Sequence, residues 1–149
     1  MILIERTLKD IDALAGCRYD PAMLLDDGMD WSEKIVKKPW GYERQEYRKG
    51  AWSFWQLIIE YGAETSMHCH PGKTTILLVE SGIIKLETLG EEYMLRPGDS
   101  ATIEPGAFHR SFAGMGAVLL EAESPPVKRD LVRLSDKWGR GQGYERAIG

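Results

Sequence analysis

The sequence predicts an all-β barrel or sandwich preceded by one short helix. Three observations carry that prediction. Short apolar stretches of strand length follow one another from residue 52 onward. Most of the 16 Gly and 7 Pro fall between apolar runs, as tight turns between many strands require. One capped helical pattern occurs, near the start.

That pattern is residues 7–16, TLKDIDALAG. Thr7 supplies an N-cap oxygen and Asp10 stands at capping-box spacing; Leu8, Ile11 and Leu14 share a face, and Gly16 marks the stop. Residues 17–37 are less regular, with turn signals at Tyr19-Asp20-Pro21 and Asp26-Asp27-Gly28. They are expected to form an arm on the outside of the barrel or at an oligomer interface. Expected strands then run near 52–60, 75–80, 83–88, 91–95, 100–104, 108–112 and 117–122. Ser124-Pro125-Pro126 ends the sheet, because proline donates nothing to a ladder. The expected organisation is an arm over 1–37, a barrel over 38–126 and a charged, Gly-rich tail over 127–149. In that tail Leu131, Val132, Leu134 and Trp138 are the residues able to find apolar surface.

Composition narrows the function classes. The chain has 149 residues, 43% hydrophobic and 28% charged, with a net charge of -4. That is one ordinary globular domain without the basic excess of a phosphate-tracking surface, so nucleic acid is not an expected partner. Charges within MILIERTLKD deny it the apolar core of a signal peptide. No apolar run reaches the roughly 18 residues of a membrane span. Cys17 and Cys69 form no spacing pattern and read as free thiols, which suits a reducing cytoplasm.

The chain has 3 histidines. His68 and His70 are separated by one residue, so on an extended segment both side chains point to the same face. His109 follows the turn Pro105-Gly106, and an antiparallel neighbour would bring it beside them. Three neutral imidazoles on one face are a ligand set for Zn²⁺, Fe²⁺, Ni²⁺ or Mn²⁺. His-x-His alone is a weak signal, so spacing by itself leaves metal ligation and ordinary core or surface histidines both open.

Two stretches resemble the paired motifs of the cupin superfamily. Gly62-Ala-Glu-Thr-Ser-Met-His68-Cys-His70, continuing to Gly82, is similar to the first motif. Pro97-Gly98-Asp99 through Pro105-Gly106-Ala-Phe-His109-Arg110 is similar to the second. The resemblance implies a cupin jelly-roll β-barrel with His68, His70 and His109 as ligands. It departs at Thr75, where the first motif normally carries a further ligand, a glutamate. A site without that carboxylate is more positive. It resembles three-His zinc or iron centres, zinc being preferred, and leaves a coordination position for an anionic substrate.

Lys38-Pro39-Trp40-Gly41-Tyr42-Glu43 and Asp130-Leu-Val-Arg133-Leu-Ser-Asp136-Lys-Trp138-Gly139-Arg140 flank the barrel. They resemble elements framing the C-terminal cupin domain of type II mannose-6-phosphate isomerases and GDP-mannose pyrophosphorylases. That resemblance implies an isomerase or epimerase acting on a sugar phosphate or nucleotide-linked sugar. The structural alternative is that Trp40 and Trp138 cover the barrel ends while Asp130 and Arg133 form a surface ion pair.

Such chemistry needs a Lewis acid, a base for a carbon-bound proton and cations for a phosphate. Candidate bases are Glu60, Glu87 and Glu121, since strand phase is not fixed by sequence. Lys73, Lys85 and Arg110 are candidate phosphate ligands, and Gln56 a candidate partner for a sugar hydroxyl. Two further readings compete: a non-catalytic carbohydrate-binding cupin and a three-His iron oxygenase. A homodimer is expected, because open sheets have edges and a face that need cover.

Overall fold

The computed structural model describes residues 1–17, 34–127, 130–135 and 143–144. Residues 18–33 of the expected arm, with Tyr19-Asp20-Pro21 and Asp26-Asp27-Gly28, lie outside the described residues, as do Asp136, Trp138, Gly139 and Arg140.

The helix α1 is Leu8–Ala15, and its N-cap is the predicted one: Thr7 and Asp10 close a capping box, and Gly16 is the C-cap. Its buried face differs from the predicted one. Leu8 is 78% exposed and Ile11 46%, whereas Asp10 is 3% exposed. The reason is a bond to another element. While Asp10 Oδ2 accepts the Thr7 backbone N–H, Asp10 Oδ1 accepts the Phe108 backbone N–H at 3.0 Å. The helix therefore packs through Ala13 and Leu14 onto Met67, Cys69, Phe108 and Val132.

The strands are β1 (Ile2–Ile4), β2 (Ile35–Lys38), β3 (Gly41–Lys49), β4 (Trp52–Ile59), β5 (Ala63–Glu64), β6 (Met67–Cys69) and β7 (Thr74–Gly82). They continue with β8 (Ile84–Thr88), β9 (Glu92–Leu95), β10 (Ser100–Ile103), β11 (His109–Ala113), β12 (Ala117–Ser124), β13 (Val132–Ser135) and β14 (Gly143–Tyr144). One sheet has the order β1-β10-β7-β12-β4-β3-β2. The other runs β14-β13-β6-β11-β8-β9, with β5 also against β11. Pairing is antiparallel except for β1 beside β10.

Each strand of the predicted series is present. Several others were not predicted. The sequence of β3, GYERQEYRK, is polar enough to read as a loop, yet Glu43 and Gln45 are buried on its inner face. Residues 132–135, expected in a tail, form a sheet strand against β6, and Val132 is completely buried. Residues 2–4, expected in the arm, extend the first sheet.

Period-two alternation is clean on β12, where Ala117, Leu119, Glu121 and Glu123 are buried and the residues between them are partly open. Core side chains such as Leu57, Ile59, Val79, Leu86 and Leu119 meet between the sheets. Gly82 ends β7 at a close crossing. Its φ is +80°, and a Cβ there would stand 2.4 Å from the Gly116 carbonyl oxygen, so a side chain is excluded twice over.

Candidate metal centre

The second sheet sets three histidines side by side. His68 and His109 are directly paired across β6 and β11, and Arg133 of β13 is paired with His68 on its other side. His70 follows one residue after β6, on the same face as His68. Ring centroids are 4.5 Å apart for His68–His109, 5.1 Å for His68–His70 and 5.6 Å for His70–His109. One nitrogen from each ring lies within 4.8 Å of the others.

Backbone carbonyls fix the tautomers. His68 Nδ1 lies 2.7 Å from the Ser66 carbonyl oxygen, His70 Nδ1 2.7 Å from that of Asp130, and His109 Nδ1 3.0 Å from that of Ala107. A carbonyl oxygen only accepts, so each Nδ1 carries the hydrogen and each Nε2 keeps its lone pair. His70 Nε2 is buried and has no hydrogen-bond partner among the described residues. Burial pushes all three imidazoles below the usual histidine range, His109 to about 4. Neutral rings oriented through their second nitrogens, with their lone pairs converging, are what a divalent metal needs. The donor set fits such an ion.

The histidines open on a cavity of about 50 Å³ whose lining includes Trp40, Glu43, Lys73, Ser111, Glu121 and Arg133. Of the candidate bases only Glu121 is brought there. Glu60 is exposed beyond the end of β4. Glu87 lies on the outer face of β8, where Arg110 reaches it at 2.7 Å and Lys85 at 3.2 Å. The Arg110 hydrogen bond holds its carboxyl below the usual range. Among the candidate substrate ligands Lys73 lines the cavity, whereas Lys85 and Arg110 stay with Glu87 on the outside. Gln56 also faces outward, since Trp55 and Leu57 beside it turn in; it bonds Arg44 at 2.6 Å and Glu80 at 3.0 Å.

Sequence reasoning missed Glu43, and it left Arg133 open between a role in the flanking resemblance and half of a surface pair; both are buried against the cavity. Their only sequence signal is membership in the two flanking stretches. Trp40, read as cover for a barrel end, is buried and also lines the cavity.

Behind the histidines lies a buried polar network. Lys73 Nζ contacts Glu123 Oε2 at 2.8 Å, with side-chain exposures of 1% and 0%. Ser53 Oγ donates to Glu123 Oε1 and accepts from Trp55 Nε1, each at 3.2 Å. Thr75 is the cross-strand partner of Glu123, and its fully buried hydroxyl has no hydrogen-bond partner among the described residues. Asp130 clamps the loop that carries His70: its carboxylate accepts the Gly72 N–H at 2.7 Å, and burial raises its pKa to about 6.

Comparison with known proteins agrees with this architecture. Residues 55–117 match the profile of the cupin domain. The fold is a cupin jelly roll. An RmlC-like cupin from Shewanella frigidimarina superposes with a TM-score of 0.57 at 21% identity, covering 65% of this chain and 89% of its own. KdgF from a Halomonas species gives 0.58 at 19%, covering 65% and 90%. A Klebsiella pneumoniae protein with a double-stranded β-helix domain gives 0.56 at 15%, covering 84% and 95%. Among curated proteins none matches the sequence. At these identities the likeness concerns the fold. Among the described residues no helix is long and apolar enough to cross a membrane.

Proposed function

We propose that this cupin is a metal-dependent enzyme that moves a proton beside the carbonyl of a small sugar phosphate, as an isomerase or epimerase does. The observation that carries the reading is the meeting of three neutral imidazoles with two carboxylates, Glu43 and Glu121, in a single cavity. The flanking stretches, through the resemblance they bear, add the sugar-phosphate setting.

His68, His70 and His109 would hold the ion, which supplies Lewis acidity to a carbonyl or hydroxyl oxygen of the substrate. Glu121, on the inner face of β12, takes the proton from the adjacent carbon and returns it to the neighbouring one. Lys73 provides positive charge for the anionic group. Trp40 and Leu57 keep one wall of the cavity apolar and limit bulk water. About 50 Å³ admits roughly three to five waters' worth of ligand, so either substrate class would seat only its reacting end there.

The test is exchange of carbon-bound hydrogen with solvent deuterium, followed by NMR over a panel of hexose and pentose phosphates. Metal-loaded wild type should exchange at the carbon beside the carbonyl. Glu121→Gln should slow exchange by about 100-fold or more while keeping one metal per chain. Absence of exchange across the panel rejects the isomerase reading, and a Glu121→Gln variant at the wild-type rate rejects that base. Substrate-dependent oxygen uptake would favour an oxygenase instead.

A further inference from the structure

The Lys73–Glu123 pair needs explaining, because it is an odd neighbour for a cation site. An ammonium beside three metal-binding imidazoles repels the ion they are built to hold. After burial, its charge is among the causes that lower all three histidines. Burying two charges is also no cheap route to stability. Apolar residues of similar volume in place of such a pair are often as stable or more so. A pair whose role was to fill space could therefore be replaced, both members together, at little loss.

Its hydrogen-bond inventory points elsewhere. An ammonium has three donors. Glu123 takes one at 2.8 Å, and it is the only side-chain acceptor within reach among the described residues. The side chain is 1% exposed, yet it lines the cavity. Donors left over on a buried cation, facing a space that also borders the histidines, call for an acceptor from outside the chain. Glu123 in turn is fixed by Ser53, which is fixed by Trp55, so the charge is held in one place. A prepositioned cation of this kind serves an anion better than a mobile surface lysine does. Arg133, paired with His68 in the ladder and also lining the cavity, places a second cation beside the histidines.

We propose that Lys73, held by Glu123, forms with the three-histidine metal a subsite for a small oxyanion, the carboxylate or phosphate group of the ligand. The proposal deepens the functional reading above and rests on its metal centre, but not on the isomerisation step. The ligand class follows from the chemistry of the subsite. The imidazoles are neutral, so the ion's charge is not offset by its own ligands, and the adjoining ammonium, though paired with Glu123, brings unused donors to the same space. A neutral polyol would satisfy neither.

The test uses cobalt-loaded full-length protein and probes that do not react: inorganic phosphate, acetate and erythritol. The visible spectrum of the cobalt reports occupancy, and a competing chelator measures metal affinity. Wild type should bind phosphate or acetate saturably with a changed cobalt spectrum, the tighter of the two identifying the group, and should ignore erythritol. Lys73→Met together with Glu123→Gln removes both charges and keeps an amide for Ser53. That double variant should bind the anion at least tenfold more weakly and hold cobalt as tightly as wild type or more so. Lys73→Arg should retain anion binding.

Unchanged anion affinity in the double variant overturns the proposal. So does parallel loss of cobalt, which would make the pair a scaffold for the histidines. Saturable erythritol binding without anion binding overturns it as well. Failure of every sugar phosphate to exchange, with anion binding intact, would reject the isomerase alone.

Discussion

The two ends of the same interior are built on opposite rules. At one end the inner faces of three neighbouring strands carry Ile59, Leu57, Ala117, Leu119 and Val79, with Ile84, Leu86 and Ala113 opposite. Two to four residues further along, those faces carry Ser53, Glu121, Glu123 and Thr75, with His109 and His68 opposite. The strands are continuous and the hydrogen-bonded ladder does not change. What changes is the kind of side chain placed on it. The apolar end supplies the burial that holds the sheets together. The polar end is thereby free to keep ionisable groups out of water, where their charges act most strongly.

Five measurements test that contrast. The largest effect is expected from Lys73→Met alone, which leaves the Glu123 carboxylate buried without its partner. It should lower unfolding free energy by about 3–5 kcal/mol in urea titration, and a loss below about 1 kcal/mol would show the pair to be solvated. Leu119→Ala, at the apolar end, should cost about 2–5 kcal/mol in the same assay while metal content stays at one per chain. If metal is lost as well, the two ends are not separable.

His109→Ala should weaken metal binding by about 100-fold or more, as read by chelator competition, with far-UV circular dichroism unchanged. Retention of wild-type affinity would remove His109 from the ligand set.

The fourth measurement is the pH dependence of the metal-free protein. Burial pushes His109 down to about 4, whereas an unfolded histidine titrates near 6.5. The unfolded chain therefore takes up protons first. The histidine contribution is intact above pH 6.5 and is lost as pH falls toward 4. Asp130, raised to about 6 by burial, acts in the opposite sense, disfavouring the folded state as it ionises above its ordinary value of 3.8. With three histidines against one carboxylate, the urea midpoint should fall between pH 7 and pH 5. A flat profile would contradict the burial of the rings.

Thr75→Val is the smallest change. It removes a buried hydroxyl that bonds nothing among the described residues, so stability should hold or rise by up to about 1 kcal/mol. A loss of that size would reveal an acceptor for the hydroxyl.

The same contrast explains what the sequence made legible. Strands such as WSFWQLII and TTILLVESG announce themselves because their inner faces are apolar. His68 and His70 were readable because His-x-His on an extended segment fixes a shared face without knowledge of the register, and His109 joined them through the resemblance of its stretch to the second motif. Glu87 and Glu121 looked alike in sequence, each a carboxylate on a short, largely apolar strand. Only the ladder separates them, placing Glu87 with Arg110 outside and Glu121 with Trp55 and Leu77 inside. Arg133 was harder still. Its neighbour is His68, 65 positions earlier, and no local pattern announces a pairing at that distance.

Asp10 carries a consequence for anyone trimming the chain. One carboxylate caps the helix with one oxygen and holds the amide just before the His109 strand with the other. A fragment cut to the matched span of 55–117 would leave Phe108 and Cys69 uncovered, because α1 packs over them. It would also strip β1 from the edge of β10. The smallest piece able to keep its histidines in register is therefore larger than the piece recognisable by homology, and β1 and α1, through Ala15, belong to it.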